Sequence, residues 1–492
     1  MKVCLSETIK PETTICLQLT RFVSFQYNLT NNKNMTKLFT ILGFLFLFCI
    51  ISFGQTKQDR KLKTALDDLI TNRLPAIAPG SVVLVAKSGK VIYKKAFGIA
   101  NMESNVPMEP NMIFRIGSIT KQFTAISILQ LVEQNKIHLQ DSIQKYIPDY
   151  PYKDYEITIE NLLTHTSGIK DYMTISNPID ETINYTPKQG VDYFKNEPLE
   201  FKPGSQFRYS NSNYYLLGYI LELVTGKTYA DYLQENIFDK AGLHNTFYIS
   251  TRKKTANMPQ GYSMFDGKLE NATLQNITTI YAAGGIMSSA EDMYKWHKAL
   301  YNNKLINHEL LSKAFTPYMF TDSTNSEYGY GWFIKNIDKS KTIEHAGSTD
   351  GFQSDEIYFP NDDVFIVTLF NCFEQDMDWT ILSNDIARLA IGKPLNNEIQ
   401  LSEDVLQNYD GIYVFNAEHK LTISLENGKL FVEAANPNDR LPKVQLYAQS
   451  KNMFYIKEAE LKFEFVNDVS NDSIKIVTYN NRGKDAEWIK TE

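Results

Sequence analysis

The apolar positions of this chain change rhythm several times. In LKTALDDLITNRLP, residues 62 to 75, Leu62, Leu66, Leu69 and Ile70 recur at helical spacing and Pro75 closes the run, which predicts an amphipathic helix. GSVVLVAKSGKVIYKKAFG then reads as two strands about a tight turn at Ser88-Gly89. From about Met112 to Asn303, helical segments alternate with loops rich in Gly, Pro and Asn. Strand patterns return at Tyr328 with YGYGWFI, KTIEHAG, SDEIYFP and DVFIVTLFN, and DWTILSNDIARLAIG predicts a closing helix beside the first. Strands from both ends thus flank a helical centre. The expected class is α+β: an antiparallel sheet flanked by helices plus a helical subdomain, over residues 55–395.

Past Gly392-Lys393-Pro394 the rhythm changes again. HKLTISLENGKLFVEA alternates on both sides of Asn427-Gly428, a strong hairpin signal. NMFYIK, LKFEFV and SIKIVTYN continue in the same way, so residues 400–492 read as a small antiparallel all-β domain.

The N-terminus carries a different signal. From Met35, the expected start, MTKLFTILGFLFLFCIISFGQTKQ places Lys37 before a nearly unbroken apolar run from Leu38 to Phe53, with Ser52 and Gly54 as small residues at its end. The run is short for a bilayer span of about 20 residues and has the layout of a secretory signal. Residues 1–54 are therefore read as an extension plus a signal peptide cleaved near Gly54, leaving Gln55 first in an exported periplasmic or extracellular protein. An uncleaved membrane anchor is the alternative. Of Cys4, Cys16, Cys49 and Cys372, only Cys372 survives cleavage, so the mature protein is expected to have no internal disulfide. A net charge of −7 without a basic block gives no support for nucleic-acid binding. The seven histidines form no H-E-x-x-H pair, so neither metal nor cofactor is expected.

Candidate chemistry enters with FRIGSITKQFTAISILQLVEQ. Ser-x-x-Lys occurs at Ser118, Ser142, Ser167 and Ser250, but only Ser118 follows a glycine and opens a long helix apolar nearly all round. Helical spacing puts Lys121 one turn below Ser118, where burial disfavours the ammonium and suits the lysine to act as a base. The bland alternative is a serine N-cap with a lysine reaching solvent. Tyr-x-Asn occurs at Tyr209, Tyr301 and Tyr479; Tyr209 alone lies between a Pro-Gly turn and an apolar helix, in FKPGSQFRYSNSNYYLLGYILE. A lysine close to that tyrosine is expected to lower its pKa and let it serve as the base that, assisted by Lys121, takes the Ser118 proton. In IEHAGSTDGFQSDEIYFP, His345-Ala346-Gly347 ends a strand, and its edge is expected to bring the Ser348 N–H towards the serine.

Ser-x-x-Lys, Tyr-x-Asn and His-x-Gly in this order resemble the serine β-lactamase and DD-peptidase family. The chain is more closely similar to the class C β-lactamase-related branch of carboxypeptidases, esterases and D-aminopeptidases. LLTHTSGI, AAGGIMSSAEDMYKW and HAGSTDGF extend the resemblance over roughly residues 60 to 395. It implies a β-lactamase/transpeptidase-like fold, Ser118 as acylated nucleophile and Lys121 with Tyr209 as the proton-handling pair. It further implies Asn211 as a substrate-amide contact, His345 and Gly347 as substrate-side positions, and the N–H groups of Ser118 and Ser348 as the oxyanion hole. Family β-lactamases usually carry Lys-Thr-Gly where this chain has His345-Ala346-Gly347. A histidine is mostly neutral at pH 7, so peptidase, amidase or esterase activity is favoured over efficient β-lactam hydrolysis. The partner expected is a small-molecule or peptide substrate, cell-wall fragments included. The alternatives are a non-catalytic binding or sensor protein on the same scaffold, or a true class C β-lactamase. His165, in HTSGI, is expected to serve a structural turn, Cys372 to be an inert core thiol, and Tyr330 and Trp332 to pack.

Overall fold

The computed structural model describes residues 59–74, 77–248, 257–265, 268–273, 275–374, 379–395, 398–434, 441–457, 459, 461–468, 473–480 and 483–491. The apolar run from Leu38 to Phe53, its cleavage point and Ser250 lie outside them. Contacts divide the chain into residues 1–64 and a larger unit, Ala65–Glu492. A helix spans 59–73 (α1), and within the larger unit Leu66, Leu69 and Ile70 are buried as their spacing predicts.

The hydrolase-like part is built on one antiparallel sheet. Its strands are β1 (Ser81–Lys87), β2 (Lys90–Phe97), β3 (Phe333–Ile337), β4 (Ser340–Thr349), β5 (Phe352–Phe359) and β6 (Val364–Phe370). They lie in the order β3-β4-β5-β6-β1-β2, so the N-terminal hairpin joins the C-terminal meander through the β1–β6 pair. Ser88 (φ 49°) and Gly89 (φ 74°) both take the left-handed conformation that a two-residue hairpin turn requires. All seven residues of β6 are buried, because helices cover both faces. Phe365 packs on Tyr294 and His297 of the helix Ala290–Tyr301. On the other face, Thr368 shares a hydrogen bond of 2.7 Å with Ser383 of the closing helix Trp379–Ala390. Arg73 of α1 donates to Asp385 of that same helix at 2.8 Å, so the two terminal helices lie side by side as expected.

The helical part contributes α2 (Thr120–Glu133), α3 (Asn211–Thr225) and α4 (Ile277–Gly284). Every residue of α2 from Thr120 to Leu131 is buried, in keeping with its apolar character on all faces. Two local expectations need correction. Of YGYGWFI only Phe333 and Ile334 are strand, the start of β3; the stretch before them is bent at Gly331 (φ 90°), where a β-carbon would lie 3.0 Å from the Lys121 carbonyl oxygen and 3.1 Å from the Gln122 α-carbon. Ser118 sits in a 3₁₀ turn, Gly117–Ile119, just ahead of α2 rather than capping it. Tyr330 and Trp332 are buried, consistent with packing.

Beyond residue 400, a short helix, Glu403–Leu406, leads into eight strands that close into a barrel, from Gly411–Val414 to Gly483–Lys490. Its interior is filled by side chains such as Tyr413, Ile423, Val432, Phe463, Phe465 and Ile476. Asn427 (φ 51°) and Gly428 (φ 73°) form the predicted hairpin turn. Among the described residues, no helix is long and apolar enough to cross a membrane, and no group of His, Cys, Asp and Glu is placed to hold a metal ion.

The core between sheet and α2 holds one buried acid. Glu356 of β5 is 3% exposed and lies against Gln122, whose Oε1 accepts from the Trp296 indole at 2.9 Å; Glu356 Oε2 has no hydrogen-bond partner. Burial pushes its pKa up to about 8. The folded protein therefore keeps a proton that the unfolded chain releases near the ordinary glutamate value of 4.5. Stability from this group is present below that value and is lost as pH rises towards 8. Glu356→Gln is expected to remove this loss and to raise Tm at pH 9 by several degrees, with little change at pH 4. A variant that melts below the wild type at pH 9 would contradict the assignment of a neutral acid.

Candidate active site

The 3₁₀ turn carrying Ser118 is wedged against β4. Gly117 adopts φ 48°, and a β-carbon there would lie 2.7 Å from the Ser348 nitrogen. A β-carbon on Gly347 would lie 2.0 Å from the Ile116 carbonyl oxygen and 2.6 Å from Ser354 Oγ. Two glycines therefore allow the strand edge to touch the serine turn, and Ser354 fastens the contact by donating to Ile116 O at 2.9 Å. This brings the Ser348 backbone beside Ser118, as the His-x-Gly position predicts.

Lys121 is fully buried one turn below the serine. Its Nζ donates to Ser118 Oγ at 3.0 Å, to Asn211 Oδ1 at 2.8 Å and to the Ala283 carbonyl at 2.9 Å. Burial lowers its pKa to about 7, against a smaller opposing pull from Asp171. Near neutral pH the amine thus exists substantially as the free base, touching the hydroxyl it would deprotonate. Ser118 is no cap and Lys121 does not reach solvent, so the bland reading of this motif is excluded by geometry.

Tyr209 enters from the loop before α3, hydrogen-bonded to Ser118, with Lys121 Nζ 4.7 Å from its ring centroid. The expected lowering of its pKa is not found. Burial pushes the phenol up, the Ser118 bond opposes only in part, and the Asp171 charge adds to the rise. The ring is enclosed by aromatic neighbours: His165 at 4.3 Å, Phe333 stacked at 6.4 Å and Tyr328 edge-on at 6.2 Å. With its pKa raised, the half-buried tyrosine is a proton donor at rest and Lys121 is the group tuned as base.

Asn211 is bound on both sides. Its Oδ1 accepts from Lys121, while Nδ2 donates to Asp171 Oδ2 at 2.9 Å and reaches Met173 Sδ at 3.3 Å. The structure thus gives it an orienting contact with the lysine as well as a place beside the cleft. His345 is 2% exposed. Its Nδ1 lies 2.6 Å from the Ala346 carbonyl, which can only accept, and its Nε2 lies 3.1 Å from the Tyr328 hydroxyl. Burial first, then the Lys121 charge, lowers its pKa to about 3, so it is neutral as the sequence suggested.

Two contributors escape sequence reasoning, and a third gains a more specific role. Asp171 carries no motif; its role follows from the fold that brings it to Asn211. The Ala283 carbonyl is aimed at Lys121 by a kink in α4, where Tyr281 takes φ 37°, ψ −126°. The Gly284-Gly285 pair after an apolar run was the one local hint of that break. His165, itself at φ 56°, accepts from the Ser210 N–H at 3.2 Å through Nδ1 and packs behind Tyr209. That matches its expected structural role and adds a specific one, holding the tyrosine ring.

A cavity of about 440 Å³ opens on Ser118 and Tyr209 and runs along β4 to Gln353, Trp379 and Asn384. A separate cavity of about 230 Å³ lies on the Asn211 side, lined by Tyr172, Met173, Ile179, Thr279 and Ile280. Nucleophile, buried base, proton donor and adjacent cleft together can carry out acyl transfer.

Comparison with known proteins agrees with this chemistry. A family profile described as Beta-lactamase matches residues 66–390. Penicillin-binding protein 4* of Bacillus subtilis (strain 168) is 25% identical over 435 residues, covering 83% of this chain and 94% of that protein. A D-aminopeptidase of Gluconobacter oxydans (strain 621H) is 26% identical over 332 residues, covering 65% of this chain and 60% of that protein. Among solved structures, the octameric penicillin-binding protein homologue from Pyrococcus abyssi superposes with a TM-score of 0.61 at 24% identity, covering 87% of this chain and 99% of the other, and so shares the fold. The chain belongs to the Beta-lactamase family and is a serine hydrolase with a β-lactamase/transpeptidase-like fold followed by an eight-stranded barrel.

Proposed function

We propose that the protein is an exported amidase or peptidase that works through an acyl-enzyme on Ser118. The observation that carries this reading is the buried Lys121 amine, tuned to about 7 and bonded to Ser118 Oγ. Lys121 takes the serine proton as Oγ attacks the substrate carbonyl, and the N–H groups of Ser118 and Ser348 receive the developing oxyanion. Tyr209, protonated at rest, hands its proton to the leaving nitrogen and recovers one from the Lys121 ammonium. Water then attacks the ester, the acid leaves, and Ser118 regains its proton. Asn211 and Asp171 hold the lysine in place.

Amide substrates are favoured over β-lactams by charge. The strand position that carries a fixed cation in Lys-Thr-Gly enzymes holds neutral His345 here, and Lys335 in the same cavity sits 3.5 Å from Glu344. A substrate carboxylate finds little to attract it there. The similarity to a D-aminopeptidase supports the same choice. Export rests on the signal-like segment ahead of Gly54. A binding or sensor role is disfavoured because the nucleophile, the base and the proton donor are assembled in contact.

Three outcomes are expected. Intact-mass measurement after fluorophosphonate treatment should show one adduct on the wild type and none on Ser118→Ala, with amide turnover falling at least about a thousandfold in the variant. An adduct persisting on the variant would remove Ser118 from the nucleophile's role. The rate of Ser118 acylation should climb as pH rises through about 7 and level off above it, because the free amine is the active form. A flat profile over that range would displace Lys121 as the base. Cephalosporin turnover should remain far below that of simple amides; a reversed order would overturn the reading of His345.

A further inference from the structure

Two cavities lie near the catalytic groups: the larger is lined by Ser118 and Tyr209, and the smaller reaches them only through Met173 and Asn211. The larger one contains Tyr209, the group that protonates the leaving nitrogen, so the leaving group belongs on that side. The smaller one lies across Asn211 from it. Met173 Sδ touches Asn211 Nδ2 at 3.3 Å, and Asn211 Oδ1 touches Lys121 Nζ at 2.8 Å, so the cavity wall is two contacts from the base and three from Ser118 Oγ. This places it where the acyl half of a substrate would extend.

Its lining is apolar for most of its extent. Tyr172 and Ile280 are buried in the core and form fixed walls, while Ile179, Pro178 and Met173 come from the loop after Asp171. Met173 is 54% exposed, so the rim of the cavity is accessible from solvent. The one charged group of the lining is Glu181, a carboxylate that hydrogen-bonds to Asn276 and Thr279. Behind the lining, one cation, Arg115, is shared by Glu181 and Asp350, so the three groups together leave negative charge at this side of the site and oppose an acidic ligand.

We propose that this cavity is the acyl-side specificity pocket, taking a large apolar side chain on the residue whose carbonyl is attacked and rejecting an acidic one. The proposal rests on the acyl-enzyme reading above and names the substrate class that reading leaves open. Its lining atoms lose water when such a side chain enters, and a group as small as methyl leaves most of the 230 Å³ unfilled.

The test compares fluorophosphonates that differ only in the carbon substituent on phosphorus, 2-phenylethyl, methyl or 2-carboxyethyl, by their rates of labelling Ser118. The phenylethyl reagent is expected to label at least about tenfold faster than the methyl one, and the carboxyethyl reagent slowest of the three. Ile179→Trp, a loop substitution that fills the pocket, should cut the phenylethyl-to-methyl rate ratio at least about tenfold. Equal rates for phenylethyl and methyl on the wild type would overturn the pocket while leaving the acyl-enzyme intact, as would a ratio unchanged in Ile179→Trp. Absence of labelling by all three would overturn the acyl-enzyme reading itself, and the pocket with it.

Discussion

The buried amine of Lys121 is the constraint around which this molecule is organised. A lysine with no exposure cannot be satisfied by water, so its three bonding directions need partners from the protein. They come from three places: Ser118 on the same turn, Asn211 at the start of α3, and Ala283 at the end of α4. Each is a hydrogen bond that fixes one element relative to α2. The arrangement that solves a burial problem is also the one that makes the amine a base, because desolvation removes the advantage of the ammonium form. Stability and chemistry are tied at this atom.

That solution requires strain elsewhere. Tyr281, a non-glycine residue at φ 37°, breaks α4 so that the Ala282 carbonyl meets Thr124 Oγ1 at 2.7 Å and the Ala283 carbonyl meets Lys121. Such a conformation costs of order 1–3 kcal/mol. It is held by the Tyr281 hydroxyl on Glu222 Oε1 at 2.7 Å and by ring contacts with Tyr215, Tyr229 and Tyr248. Glu222 also accepts from the Tyr229 N–H at 2.8 Å, so one carboxylate ties the kink to the segment that begins at Tyr229. The aromatic richness of the helical part thus has a mechanical use: it over-determines a backbone that local preference would straighten.

The sheet contributes by proximity. Gly117 and Gly347 remove the two β-carbons that would hold the serine turn off β4, and the neutral His345 keeps the strand free of a fixed charge beside the base. Tyr209 is locked between these parts by His165, Phe333 and Tyr328, and its enclosure keeps the phenol protonated. Division of labour between lysine and tyrosine therefore follows from how each is enclosed: the same loss of water that favours a neutral amine disfavours a phenolate.

Much of this was legible in the chain itself, wherever the cause is local. Ser-x-x-Lys at helical spacing determines that the two side chains share a face, and Ser88-Gly89 and Asn427-Gly428 determine hairpin turns, since both follow from backbone geometry within a few residues. The mixed α+β architecture was readable from the changes of period. What the sequence left open depends on partners far along the chain. Lys121 finds Asn211 at a separation of 90 residues and Ala283 at 162, and no spacing rule reaches that far. Asp171 became part of the site only through Asn211, and the strand expected over Tyr328–Trp332 gave way to a bend that lets Gly331 meet α2. The tyrosine's pKa was misjudged for the same reason: a neighbouring lysine is visible in a motif, whereas the desolvation that outweighs it is a property of the packed whole. Local periodicity fixed the elements, and tertiary burial decided which of their side chains carry charge.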